Sequence, residues 1–171
     1  MSYRKKALLP GILGVALMIS LGGEANAFCS SQGLELMRSL NGAWRGRGAV
    51  TPIGGVAERI ACRVSYVMEG ADVINQVLTC AGTDYKIEAS SHVTCSGNLL
   101  EGTFSEKIGN NTGRVNGSIS GEHLNIEADG PSFKGHFNVT FKSESNHLVS
   151  ITQFDSARGR QVPVASIQLT R

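Results

Sequence analysis

No G-x-S-x-G, no H-E-x-x-H and no phosphate-cradling glycine loop with a lysine occurs in this sequence. Its motifs therefore do not read as a nucleophile-elbow hydrolase, a zincin-type protease or a P-loop nucleotide binder. C-x-x-C is missing too, and His92, His123, His136 and His147 show no metal-ligand spacing, so no metal site is expected. Carboxylate pairs such as Glu101 with Glu106, or Asp84 with Glu88, fall at separated, solvent-type positions. Nothing calls for a catalytic residue, and an enzyme is not expected. Beyond Arg4, Lys5 and Lys6, runs of like charge are also absent. The net charge of +2 comes from Arg4, Lys5, Lys6 and Glu24, and the rest of the chain carries 13 basic and 13 acidic residues. That balance gives no electrostatic case for nucleic acid or for an anionic membrane surface as partner.

The only long apolar run lies at the start. Ala7 to Leu21 follows the charged Arg4, Lys5 and Lys6, and Ala25-Asn26-Ala27 offers small residues at −3 and −1 for signal peptidase. At 15 residues the run is short of the ~20 that cross a bilayer. Phe28 stands before Cys29 where lipoprotein processing needs a small residue. Residues 1–27 are expected to be a cleaved signal peptide, and residues 28–171 a single periplasmic or secreted domain without a membrane span. All four cysteines, Cys29, Cys62, Cys80 and Cys95, lie in the exported part, where an even count favours disulfides.

What is present is period-two patterning. Leu40 to Gly48 holds the only tryptophan, Trp44, with Gly42, Gly46 and Gly48 at two-residue spacing. On a strand these four share a face. An indole on a face otherwise stripped of side chains suggests close approach by another backbone or the floor of a barrel. Residues 59–68 alternate in the same way, with Ile60, Cys62, Val64, Tyr66 and Met68 on one face. Turn signals follow at Glu69-Gly70-Ala71, Ala81 to Asp84, Ser96-Gly97-Asn98, Gly109-Asn110-Asn111, Ser120-Gly121-Glu122 and Asp129-Gly130-Pro131. Between and beyond them lie about ten short strands. Only Ser30 to Leu40 reads as a helix, through Leu34, Met37 and Leu40 at three-residue spacing and a serine cap, either closing a barrel end or tethering the first strand. The expected fold is all-β: an antiparallel up-and-down barrel with a short N-terminal helix, since closure removes exposed edges. A β-sandwich is the alternative.

The cysteines acquire a register from this reading. Cys62 and Cys80 are equidistant from Ala71, so a hairpin turning there sets them opposite one another at disulfide range. Cys29 with Cys95 follows by elimination.

Gly42-x-Trp44 at the head of a first strand, in a chain of short strands ending at Arg171, resembles the calycin superfamily: lipocalins, fatty-acid-binding proteins, avidins and nitrobindin-like barrels. The longer G-x-W-x-G-x-G is most similar to the nitrobindin-like pattern. The resemblance implies that Trp44 closes one barrel end and that Arg171 packs across it from the last strand. The nitrobindin-like family binds haem through a histidine on its closing strands, whereas Arg160 to Ile167 carries none, so no cofactor is expected. Each histidine reads as a surface or strand residue.

Two function classes remain. In one, the barrel binds a small apolar or amphipathic ligand among Trp44, Tyr66, Tyr85, Phe104 and Phe137. In the other, the barrel is filled by side chains and serves as an envelope structural or interaction protein. Phe133, Phe137 and Phe141 share one strand face with Gly135 and Val139, and such a row serves as core wall or as pocket.

Overall fold

The computed structural model describes residues 28–171; the proposed signal peptide lies outside them. Helix α1 spans Ser31–Leu40. Ten strands follow: β1 (Gly42–Val50), β2 (Glu58–Glu69), β3 (Val73–Ala81), β4 (Lys86–Ser96), β5 (Leu99–Glu106), β6 (Asn111–Ser120), β7 (His123–Asp129), β8 (Lys134–Ser143), β9 (Asn146–Asp155) and β10 (Arg160–Thr170). Each strand pairs antiparallel with the next, and β1 pairs with β10, so the meander closes into a barrel. The sandwich alternative is overturned. Every hairpin connection is local, and no sheet edge is left open to a second chain.

Period-two patterning sets the wall. On β2, Ile60, Cys62, Val64 and Tyr66 are buried, while Arg59, Ala61, Arg63 and Val67 face outward. Gly46 and Gly48 lie on the inner face of β1. A Cβ at either would run into a backbone carbonyl of β10, Gln168 or Ser166 respectively. The missing side chains let the first and last strands approach closely enough to close the sheet. On β10 the register slips between Pro163 and Ala165. This bulge falls beside a proline that has no N–H to give to the ladder.

The helix covers the end of the barrel that holds Trp44. Ser30 caps it, accepting a hydrogen bond from Gly33 N at 3.0 Å. The buried face is Gly33, Met37 and Leu40; Leu34, expected on that face, is half-buried. Gly33 takes its place because a Cβ there would meet Cys29 Sγ at 2.7 Å and Ile119 Cδ1 at 2.9 Å. Cys29–Cys95 ties the helix to β4, and Ser30 N donates to Gly97 O at 2.7 Å. Cys62–Cys80 joins β2 to β3, where the two are direct register partners with Cα atoms 4.1 Å apart.

Candidate functional site

The two ends of the barrel differ in kind. At the helix end, Trp44 is 1% exposed and donates its Nε1–H to Leu40 O at 2.6 Å. The Arg171 guanidinium carbon lies 4.8 Å from the centre of the indole, and Nη1 donates to Asn41 O at 3.1 Å. Beneath the indole is His147, on the inner face of β9 and 0% exposed. Its ring centroid is 4.4 Å from that of Trp44 and 5.5 Å from that of Phe141. Neither His147 nitrogen has a hydrogen-bond partner among the described residues. Burial, and secondarily the charge of Arg171, pulls its pKa down to about 4. Of the two readings, surface or strand residue, His147 takes the second: it lies on β9 and is buried. β9 begins at Asn146, and its pleat places His147 inward. The other three histidines are exposed.

Above this floor the barrel encloses a cavity of about 430 Å³. Its walls run from Met37 and Leu40 under the helix to Pro52, Ile108 and Asn111 at the opposite rim. Tyr66, Tyr85, Phe104 and Phe137, each a candidate from the sequence, all line it. Trp44 does not. Its edge is bonded to Leu40, and Arg171 and His147 pack against the ring, so it forms part of the floor beneath the cavity. Phe104, Phe133 and Phe137 gather along one wall with successive centroids 6.1 Å apart, which leaves the lumen unfilled. Gly113 faces Phe104, and a Cβ there would strike that ring and the Asp129 carbonyl oxygen. The glycine makes room for the aromatic wall.

Polar groups on the cavity wall are sparse and mostly neutral. Sequence reasoning did not single out Gln76, Ser91 or Gln153, although their inward strand positions were available as a signal. The charged wall residues are Lys86 and Glu106, both at the rim. Glu106 accepts the N–H groups of Ile108 at 2.8 Å and Gly109 at 2.6 Å, closing its own turn. Lys86 pairs with Glu88 at 2.7 Å. Burial, and then the nearby Glu106 carboxylate, raises the Tyr85 pKa. The disulfide Cys62–Cys80 also faces the lumen.

A haem held through histidine does not fit these residues. His147 is sealed below the cavity, between aromatic rings, and is not part of its wall. Among the described residues no group of three or more His, Cys, Asp or Glu is arranged to hold a metal ion.

No known protein family matches the sequence, and no curated protein does. Solved structures match the fold. Rv2717c from M. tuberculosis superposes with a TM-score of 0.65 at 14% identity, covering 81% of this chain and 96% of that one. The S-type phycobiliprotein lyase CPES from Guillardia theta gives 0.60 at 8% identity, covering 80% and 90%. The fold is a calycin-like small barrel. At these identities the likeness is one of architecture, and the calycin-like barrel here must be read for function from its own lumen.

Proposed function

We propose that this chain is a non-enzymatic binding protein of the calycin type, exported to the periplasm or secreted, which takes a small apolar or amphipathic molecule into its barrel. One observation carries the reading: a largely apolar cavity of about 430 Å³ inside a closed barrel, within the range of small-molecule sites. Ten strands give a wider lumen than eight, and small inner residues such as Gly113 and Gly135 keep the aromatic wall to one side. That arrangement favours a pocket over a side-chain-filled plug. Two disulfides support an oxidising compartment.

Native mass spectrometry of protein recovered from the host's periplasmic fraction, followed by denaturing extraction, tests both halves. The expected result is a chain beginning at Phe28 that carries one small hydrophobic molecule. A bare mass, together with no uptake of the neutral dye Nile red, would overturn the binding reading. An intact Met1 terminus in a membrane pellet would overturn export.

A further inference from the structure

Among the polar side chains of the wall, three form one stripe. Tyr66 on β2 is the register partner of Gln76 on β3, and Gln76 is the register partner of Ser91 on β4. All three line the cavity. Direct antiparallel partners stand about 4.5–5.5 Å apart, so their side chains emerge side by side. The Ser91 hydroxyl donates to Gln76 Oε1 at 3.0 Å. That bond engages one heteroatom of the amide and holds the side chain in place, while Nε2 makes no hydrogen bond among the described residues. The Tyr66 hydroxyl has no partner among them either, and burial raises its pKa, so it stays a neutral donor and acceptor.

The surroundings sharpen the chemistry. Ile74, Leu78, Val93 and Phe104 make up much of the wall around the stripe. Once a ligand fills the lumen, a polar group it leaves without a partner costs about 1–3 kcal/mol, and an isolated charge in such a place costs far more. A ligand oxygen would satisfy the first condition. A ligand carboxylate would meet the second, because among the described residues the lumen offers it no free cation. Lys86 is at the rim and already paired, and Arg171 sits across Trp44, bonded to Asn41.

Building on the cavity-binding reading, we infer that the barrel selects a neutral, predominantly apolar molecule bearing one carbonyl or hydroxyl oxygen, which Gln76 and Tyr66 hold by hydrogen bonds. Ser91 is a positioning residue that fixes the Gln76 amide. Sites built to hydrogen-bond one group reject analogues lacking it, because their own polar atoms are then left unpaired.

Displacement of Nile red by a matched series tests this: undecan-2-one, undecan-1-ol, undecanoate and undecane, at pH 7.5. The ketone and the alcohol are expected to displace the dye at roughly tenfold lower concentration than undecane or undecanoate. Gln76→Leu combined with Tyr66→Phe should remove that advantage by weakening the ketone and the alcohol and tightening undecane, since no polar atom is then left unpaired. Should the double variant fail to fold, Gln76→Met and Tyr66→Phe singly should each remove part of it. If undecane matches the ketone, if undecanoate binds best, or if the advantage survives in the variants, the inference is overturned while the cavity reading stands. If neither dye nor any member of the series binds, the cavity reading itself falls, and this inference with it.

Discussion

His147 is the residue whose environment departs most from its chemistry. An imidazole with both nitrogens unpaired, packed between Trp44 and Phe141, is held neutral by burial. Its folded pKa of about 4 lies below the ordinary unfolded value near 6.5. As pH falls through 6.5 the unfolded chain takes up the proton first, so stability declines, by up to about 1.4 kcal/mol per pH unit for one proton. The decline ends near pH 4, where the folded protein binds the proton too. Urea titrations of the wild type from pH 7 to 4 should show this slope, and His147→Phe should flatten it. An unchanged slope in the variant would place the acid sensitivity elsewhere. The sequence hid this residue because a histidine after Ser145-Asn146 reads as part of a turn. Only the register of β9 turns it inward. Trp44 was legible as a structural tryptophan, yet its exclusion from the cavity depended on Leu40, Arg171 and His147 arriving from three other segments.

Among the elements, α1 owes its place to one covalent tie and a small apolar face. A ten-residue helix is marginal on its own in water, so packing of Met37 and Leu40 and the Cys29–Cys95 bond must hold it. The two disulfides close loops of very different length, with sequence separations of 66 and 18 residues. In the chain-entropy description, the longer loop contributes about 4 kcal/mol and the shorter about 3 kcal/mol. Replacing Cys29 and Cys95 together by serine should therefore cost more stability than replacing Cys62 and Cys80. It should also raise hydrogen exchange across residues 31–40 well above that of the strands. Protection of α1 that survives the loss of Cys29–Cys95 would show that packing alone seats the helix. The hairpin β2–β3 could be read from sequence down to its register, because the turn is short and the alternation unbroken on both sides. Whether the helix closes the barrel end or only tethers the first strand could not be read, since its spacing fits both.

For the molecule as a whole, closure is the decisive event. β1 and β10 are far apart in sequence, so their pairing is the slow, non-local contact that completes the barrel. Arg171 over Trp44 clamps that seam at the helix end. A guanidinium–indole contact contributes ~0.5–2 kcal/mol. Arg171→Ala should lower the melting temperature by a few degrees, the shift expected for about 1 kcal/mol in a domain near 150 residues. It should also shift the emission of Trp44, the only tryptophan, to the red. Unaltered emission and melting would mean that the glycine-lined β1–β10 ladder carries closure without the clamp.

The sequence by itself determined the strand count, the turn positions, the inward and outward faces and the pairing of Cys62 with Cys80. These are local properties, written in a two-residue period and in turn chemistry that needs no distant partner. Tertiary structure alone decided which end Trp44 seals and that the phenylalanines line one wall instead of filling the lumen. It also decided that His147 is buried and that Tyr66, Gln76 and Ser91 stand in a row. Each of these depends on how neighbouring strands are staggered around a closed barrel. One residue of stagger moves a side chain to the other face, and closure fixes all ten registers together.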